Sequence, residues 1–476
     1  MIRSRGIAVV LIAALLTTMG VVDRDRTGPA RRPFGQPSVS PIPIADRSDV
    51  LASTWYCAGG TSIPNGAANL TVVIANTATT RATGTVTWYP SKGGPVARPL
   101  DVPATGSLSV AARDSVDAPV VSAIVDIRGG GIAVEHVVSG ARGASVAPCA
   151  SDASPTWYFA NGSTERDAVQ VLALFNPFPD DAIVDITFAS EEGRDQPAAL
   201  AGLPVAAGTT TLVNVHDNVR RRAATATAVV ARSGRLVVDR LQSFDGSLGR
   251  RGVSLTLGAP SLSESWTFPE GLWTDGVTQQ WHVFNPTDRE AQVELQVTPA
   301  SGDPIQPVDL TVPAKSQIVI DAAKTSGVAS GIAHTSTITS LNGVPIVAER
   351  SIDARSPSRR RGWSSSLGSP IARPRWVLPL GEASGNTDEW VVVHNPNPHA
   401  VTASLSALVG GQLLAVEGMQ DVKIGPGGRV ALRLGDHIER SPLPLLVDAT
   451  GDVVVERDLY RVGAPGITTL IGIPLS

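Results

Sequence analysis

One set of landmark residues occurs four times, in the same order, along this 476-residue chain. Each copy opens on a tryptophan, and these are Trp55, Trp157, Trp266 and Trp376. An asparagine closes the second apolar run of each copy, at Asn76, Asn176, Asn285 and Asn395. Further along, an acidic residue precedes a basic one at Glu135-His136, Asp239-Arg240, Glu349-Arg350 and Glu456-Arg457. Such self-similarity indicates a tandem repeat.

The residues that follow each asparagine alternate between apolar and polar side chains. In the third copy the apolar ones are Ala291, Val293, Leu295 and Val297. The positions between them are Gln292, Glu294 and Gln296. A period of two predicts a β-strand with one buried face, because successive side chains of a strand point to opposite sides.

Later in each copy, two apolar runs flank a short turn. Asn342-Gly343 is typical of a β-hairpin, because both residue types tolerate a positive φ angle. With about seven short strands per copy, the sequence predicts an all-β chain of four tandem immunoglobulin-like β-sandwich repeats. We place the repeats at residues 54–150, 156–260, 265–370 and 375–476 and call them the first to fourth repeat. Because the connections between them are short, we expect a stiff rod or arc. A β-propeller fits less well, since its blades have a period of roughly 40–50 residues.

The N-terminus predicts export. Arg3 and Arg5 precede an uncharged run from residue 6 to residue 22, as in a secretory signal peptide or a signal anchor. Residues 1–22 therefore predict a secreted or membrane-anchored extracytoplasmic protein, which would contact the membrane through residues 6–22 if the segment stays uncleaved. Residues 23–53 are rich in proline and arginine and predict an extended spacer.

The chain has two cysteines, Cys57 and Cys149, and both lie in the first repeat. In an exported chain an isolated pair predicts a disulfide. Two free thiols in a reducing compartment are the alternative.

The acidic–basic dipeptide is a polar feature that all four repeats share. Neighbouring residues of a strand face opposite sides, so Glu349 and Arg350 are not expected to face one pocket. Ion pairs across strands or hydrogen bonds to a neighbouring loop are the first interpretation. A ligand-binding rim is the second, and its candidate residues are Glu349, Arg350, Glu456 and Arg457. Two tryptophans outside the repeating positions, Trp273 and Trp390, are candidates for stacking on sugars.

No catalytic motif is present: the sequence lacks G-x-S-x-G, H-E-x-x-H, a glycine-rich phosphate loop and C-x-x-C. The formal net charge of −4 gives no indication of nucleic-acid binding. We therefore expect no cofactor and no metal. The leading hypothesis is a non-enzymatic exported protein that acts as a structural or interaction module of the cell envelope, with an envelope protein or polysaccharide as partner. Polysaccharide binding is the alternative, and a carbohydrate-active hydrolase ranks below it.

The repeats carry a family resemblance. "WYFANG" from Trp157, "WTFPEG" from Trp266, three Asn-Pro pairs and "PIVAER" from Pro345 are similar to an uncharacterised family of bacterial secreted proteins. Repeats of that family read roughly W-Y-F-A-E-G, then a strand ending in N-P, then V-A-E-R. The resemblance implies an envelope or extracellular setting and no known activity. The glutamate of the opening phrase is matched by Glu270 alone, so the resemblance implies no shared role for it.

Overall fold

The computed structural model describes residues 40–476, and the regular elements of this part are β-strands and short 3₁₀ helices. The prediction of an all-β fold is confirmed. The predicted signal or anchor segment at residues 1–22, and residues 23–39 of the predicted spacer, lie outside the described residues. Among residues 40–476, no helix has the length and hydrophobicity needed to cross a membrane.

Strands follow one another with similar spacing in each repeat. The first repeat contains β1 (Ala52–Cys57), β2 (Asn69–Asn76), β3 (Ala82–Pro90), β4 (Val96–Val102), β5 (Gly106–Ala111), β6 (Val121–Arg128), β7 (Ile132–Gly140) and β8 (Gly143–Pro148). The second contains β9 (Thr156–Phe159), β10 (Ala168–Asn176), β11 (Ala182–Ser190), β12 (Gly193–Asp195), β13 (Ala201–Val205), β14 (Thr209–Asn214), β15 (Thr225–Ser233), β16 (Val237–Asp245) and β17 (Arg251–Leu257).

The second half of the chain repeats this order. The third repeat contains β18 (Ser265–Phe268), β19 (Val277–Asn285), β20 (Ala291–Pro299), β21 (Val308–Val312), β22 (Ser316–Asp321), β23 (His334–Ser340), β24 (Val347–Ala354) and β25 (Gly362–Leu367). The fourth contains β26 (Arg373–Leu378), β27 (Thr387–His394), β28 (Val401–Val409), β29 (Gln412–Ala415), β30 (Val422–Ile424), β31 (Arg429–Arg433), β32 (Leu445–Arg461), β33 (Ile467–Ile471) and β34 (Ile473–Pro474). The 3₁₀ helices are Ala112–Asp114, Ala198–Leu200, Val215–Asp217, Ala322–Lys324 and Leu434–Asp436.

The strands form antiparallel sheets that share hydrophobic clusters, as in a β-sandwich. In the first repeat one sheet has the order β1-β6-β3-β4 and the other β5-β2-β7-β8, and the third repeat has the same order. An immunoglobulin constant-type domain instead has its first, second, fourth and fifth strands in one sheet and the remaining three in the other. The predicted immunoglobulin-like arrangement is therefore wrong in its strand order, although the sandwich layering is not contradicted.

The third strand of each repeat shows the predicted alternation. In β20, Ala291, Val293, Leu295 and Val297 are buried, whereas the residues between them are half-buried. Their apolar faces lie between the two sheets.

The predicted hairpin at Asn342-Gly343 is wrong. Gly343 does have a positive φ of 68°. However, β23 pairs with β18 and β20, whereas β24 pairs with β19 and β25, so the turn carries the chain from one sheet to the other. In the fourth repeat the single strand β32 spans both sheets. A turn-forming dipeptide between two apolar runs is compatible with a hairpin within one sheet and with a connection between two sheets, because both runs are buried in each arrangement.

The four asparagines stabilise the turn that joins the second strand to the third. The Asn176 side chain accepts a hydrogen bond from the backbone N–H of Phe178 at 3.1 Å, and its Nδ2 donates to the carbonyl oxygens of Asp180 and Val205. The same bond to the N–H two residues on is found for the other three asparagines. An asparagine side chain can bond the backbone two residues on, and this bond is present in all four repeats.

The last long strands of the repeats, β8, β17, β25 and β33, which we call the last strands, lie next to one another in cyclic order. Ser145 Oγ accepts a hydrogen bond from Leu255 N at 2.9 Å, which joins the first repeat to the second. Equivalent bonds run from Ser365 N to Ser254 Oγ and from Thr469 N to Ser364 Oγ. The fourth repeat also packs against the first, because Val377, Leu446 and Ile473 belong to the same hydrophobic cluster as Trp55. The expected rod or arc is therefore wrong.

The described part of the predicted spacer, residues 40–53, is not a free linker. Ile42 is buried. Ala45 N donates to Pro474 O at 2.9 Å, and Ser476 N donates to Ala45 O at 3.0 Å. This segment lies against the end of the fourth repeat and helps to join it to the first. The hydrophobic cores are not separate either, since Trp266 and Trp376 share one cluster.

Candidate functional site

The four acidic–basic dipeptides lie on β7, β16, β24 and β32, and their side chains meet between repeats. Arg240 Nη2 lies 2.7 Å from Glu349 Oε2, which joins the second repeat to the third. Arg350 pairs with Glu456. Arg457 Nη2 lies 2.9 Å from Glu135 Oε2, and His136 Nε2 lies 3.0 Å from Asp239 Oδ2. The eight side chains thus form a closed cycle, which we call the buried ion-pair ring.

The three glutamates of the ring also bind the loop that follows the first strand of the preceding repeat. Glu349 Oε1 accepts hydrogen bonds from the backbone N–H groups of Ala160 and Asn161, at 2.8 and 3.2 Å. Glu456 accepts one from Glu270 N at 3.0 Å, and Glu135 accepts one from Leu380 N at 2.9 Å. Asn161, Glu270 and Leu380 occupy the same position of the repeat. Because the backbone makes this contact, the side chain at that position is free to vary.

The ring is inaccessible to solvent: the side chains of its eight residues are at most 1% exposed. Removing charges from water is costly, and a buried pair is tolerated when further hydrogen bonds satisfy it. Burial alone would raise the pKa of Glu349, but Arg240, Ser365 and the Asn161 amide outweigh it and leave the pKa below its ordinary value. Burial raises the pKa of Asp239, and His136 and the Ala58 amide offset this only in part.

The interface between the third and fourth repeats carries additional charges. Glu270 pairs with Arg429, whose Nε donates to Pro269 O at 3.0 Å. Asp458 is buried nearby, and burial together with the neighbouring Glu456 raises its pKa well above the ordinary value. This interface therefore concentrates acids and arginines in one buried cluster.

A buried carboxyl accompanies the pair between the fourth and first repeats. Glu389 Oε2 accepts a hydrogen bond from Glu382 N at 2.6 Å. Burial raises the pKa of Glu389 to about 7, and Arg457 and the Glu382 amide lower it only in part. Gln279, at the same position of the third repeat, accepts the matching bond from Leu272 N.

The candidate ligand-binding residues Glu349, Arg350, Glu456 and Arg457 are thus fully enclosed, and each is paired with a charged residue of a neighbouring repeat. A soluble ligand has no access to them in this structure, so the rim suggested for them is not formed. Of the two interpretations, the ion pairs and loop contacts are what the structure contains, and the pairs join separate repeats instead of strands of one sheet.

The candidate sugar-stacking tryptophans are half-buried and hydrogen-bonded within the protein. Trp273 Nε1 donates to Val328 O at 3.0 Å. Trp390 Nε1 donates to Asp388 Oδ2 at 3.1 Å, and the Arg360 guanidinium lies 5.4 Å from its ring centroid. Both indoles take part in packing.

Cys57 and Cys149 form the predicted disulfide, with an S–S distance of 2.06 Å. In the second repeat, Phe159 and Gly258 occupy the positions equivalent to Cys57 and Cys149, as the neighbouring β-bridges show. The phenyl ring of Phe159 lies against the glycine. Phe268 with Gly368, and Leu378 with Gly472, make the same contact in the other two repeats. The disulfide therefore replaces a contact between a large apolar side chain and a glycine.

The cavities lie between repeats and not at the ring residues. A small apolar cavity of about 50 Å³ is enclosed by the last strands of all four repeats and by Ile42 and Pro43. A groove of about 390 Å³ separates the second and third repeats, and Tyr158, Asp185 and Lys315 are among its lining residues. A second groove, of about 420 Å³, lies between the fourth and first repeats.

The repeated acidic–basic dipeptide indicates the ring residues in the sequence, but not which residues pair with each other. Each pair joins residues about one repeat apart or further, and the separation of Arg457 and Glu135 is 322 positions. The loop amides were missed because backbone donors leave no mark on residue type. Glu389 was missed because Gln170 and Gln279, at the same position of other repeats, carry no charge. The recurrence of the dipeptide at one place in every repeat was the available signal, since equivalent interfaces reuse equivalent residues.

Comparison with known sequences gives one family match. A family of unknown function (DUF5719) matches residues 129–249. This stretch contains Glu135-His136 and Asp239-Arg240, and with them the His136–Asp239 pair. The match agrees with the resemblance to an uncharacterised family, but it does not extend to the motifs of the later repeats. No curated protein matches the sequence.

Solved structures give only weak likenesses. A structure titled Thermotoga maritima 1070 is 16% identical over 23% of this chain and 94% of its own, with a TM-score of 0.21. A tetra-tandem repeat from the extending region of a large adhesion protein is 13% identical over 89% of this chain and 100% of its own, with a TM-score of 0.12. SGBP-B from a xyloglucan utilization locus of Bacteroides uniformis is 11% identical over 86% of this chain and 99% of its own, with a TM-score of 0.11. Scores this low carry no argument about fold or function.

Proposed function

We propose that residues 40–476 are four β-sandwich repeats closed into a ring, and that this ring is a non-enzymatic structural or interaction module of the cell envelope. The observation that carries the proposal is the buried ion-pair ring. It recurs in all four repeats, and its side chains contact neighbouring repeats. A rigid body built in this way is suited to spacing or presenting a surface.

Two features support an extracytoplasmic location. Disulfides persist in oxidising compartments and are rare in the cytosol, and Cys57 and Cys149 are joined by one. In addition, Arg3 and Arg5 followed by an apolar run form the beginning typical of an exported chain.

The disulfide that supports this location is tested by thiol labelling of the exported full-length protein without reductant. We expect neither cysteine to react before reduction and both to react after reduction and unfolding. Free thiols on both cysteines in exported protein would contradict the disulfide and remove it as support for this location.

The function is tested with the full-length protein on a glycan array and on soluble envelope polysaccharides. A structural module is expected to bind no polymer and to release no sugar products. Binding that disappears in Trp273→Ala or Trp390→Ala would favour the alternative, a polysaccharide-binding protein. Released reducing ends would instead favour a hydrolase.

A further inference from the structure

The interface between the first and second repeats differs from the other three at four equivalent positions. Cys57 stands where the other repeats have Phe159, Phe268 and Leu378. Cys149 stands where they have Gly258, Gly368 and Gly472. His136 replaces an arginine of the ring, and Asp239 replaces a glutamate. A structural disulfide accounts for the two cysteines, but it does not require the histidine or the shorter acid.

These four side chains are in contact. His136 Nδ1 lies 3.3 Å from Cys149 Sγ, and the two sulfur atoms and a His136 ring nitrogen all lie within 4.8 Å of one another. On its other side, His136 Nε2 lies 3.0 Å from Asp239 Oδ2. All four residues are buried. A macromolecular partner therefore cannot reach the cluster. The distances between its ligand atoms are of the size that a single metal ion spans.

The donor set is that of a zinc site. Thiolate sulfur and imidazole nitrogen are the ligands that zinc prefers, and three protein ligands with one further position are a common arrangement. A zinc-bound histidine usually donates its second ring N–H to a carboxylate, which fixes the tautomer, and Asp239 Oδ2 lies 3.0 Å from the second ring nitrogen of His136. Two thiolates also balance the two positive charges of the ion, which matters because the site is buried.

We propose that the reduced form of this cluster binds one zinc ion through Cys57 Sγ, Cys149 Sγ and His136 Nδ1, with Asp239 as a positioning residue. A dithiol supplies the two electrons and two protons that convert the disulfide to two thiols and is itself oxidised to a disulfide. Zinc then displaces both thiol protons to solvent. The disulfide and the zinc site exclude each other, because both use the same sulfur atoms. This inference does not depend on the proposed function.

The test uses full-length protein that is reduced with a dithiol without oxygen and freed of the reductant. Zinc affinity is measured by competition with a chromophoric chelator, and cobalt(II) serves as the spectroscopic probe for sulfur coordination. We expect one equivalent to bind to the reduced protein, with the charge-transfer absorption of cobalt–thiolate bonds. The oxidised protein is expected to bind none.

Matched variants separate this site from simple chelation by two thiols. His136→Arg, which installs the residue of the other repeats, is expected to abolish the one-equivalent binding. Asp239→Asn is expected to weaken it about 10- to 100-fold, the usual effect of losing such a carboxylate. Near-ultraviolet circular dichroism shows whether each reduced protein is folded. Reduced wild type that binds no zinc, that loses its fold with zinc present, or that binds as tightly after His136→Arg would overturn the proposal.

Discussion

Arg457 Nη2 donates to both carboxylate oxygens of Glu135, at 3.0 and 2.9 Å, across 322 positions of sequence. This pair connects the fourth repeat to the first and completes the buried ion-pair ring. Because the cycle has no end, each repeat has a charged contact on both sides. Substitution of one ring residue is therefore expected to affect the stability of the whole ring.

Removing the Glu349 charge is expected to be strongly destabilising. Glu349→Gln leaves the guanidinium of Arg240 buried without a counter-charge, which costs about 3–5 kcal/mol in comparable cases. The control is Asp448→Asn, which breaks the exposed Arg375–Asp448 pair and is expected to cost at most about 1 kcal/mol. Both free energies of unfolding are measured by chemical denaturation. Equal effects of the two substitutions would show that the buried pair adds nothing.

Glu389 is expected to make the stability depend on pH. Its folded pKa of about 7 lies above the ordinary value of 4.5, so the folded protein retains a proton that the unfolded chain releases. The free energy of unfolding should therefore fall as the pH rises from about 4.5 to about 7. Glu389→Gln, which matches Gln170 and Gln279 of other repeats, should remove this part of the decline. Denaturation at pH 5 and pH 8 measures it, and an unchanged difference between wild type and variant would contradict the assignment.

Loss of the disulfide is expected to lower the free energy of unfolding. The bond closes a loop of 92 residues, for which loop-closure entropy predicts about 4–5 kcal/mol. Cys57→Ser with Cys149→Ser should show this loss. Cys57→Phe with Cys149→Gly should recover part of it, because Phe159 and Gly258 make the matching contact in the second repeat. No difference between the two double variants would indicate that this contact is not transferable.

Asn176→Ala is expected to destabilise the second repeat by about 2 kcal/mol or more. The change leaves the Phe178 N–H and the Asp180 and Val205 carbonyls without their partner, and an unsatisfied buried group costs about 1–3 kcal/mol. Thermal or chemical unfolding measures the loss. A variant as stable as wild type would mean that water replaces the side chain.

Ile42 is expected to contribute to stability even though it lies in a segment with the composition of a spacer. Ile42→Ala should cost about 2–3 kcal/mol, because its side chain is buried beside the last strands of the repeats. Leu51, which is 93% exposed in the same segment, provides the control, and Leu51→Ala should leave stability unchanged. Similar values for the two variants would argue against a packed N-terminal segment.

The features that could be predicted from the sequence are those that depend on residues close together in the chain or on composition. The alternation in β20 and the disulfide both follow from local pattern, composition or compartment. The connection after β23 could not be predicted, because Asn342-Gly343 turns the chain equally well within a sheet or between sheets.

The closure of the four repeats into a ring could not be predicted from the sequence either. Short linkers indicate stiff junctions, but the direction in which successive repeats turn depends on packing between surfaces far apart in the chain. Every residue of β24 is buried, on both faces of the strand. The strand therefore lies between the partner sheet of its own repeat and the neighbouring repeats. In sequence this appears only as a run such as "VAERSIDA", in which charged and polar residues obscure the burial.

Ala45 and Leu475 lie side by side in a parallel bridge, so segments from the two ends of the described chain meet at one junction of the ring. The other three junctions are crossed by a continuous peptide, and this one is held by non-covalent contacts, the Arg457–Glu135 ion pair among them. The ring therefore has the connectivity that tolerates circular permutation. A gene for residues 40–476 opened at any of the three covalent junctions, with residues 476 and 40 joined by a short flexible peptide, would encode the same set of contacts in a new order.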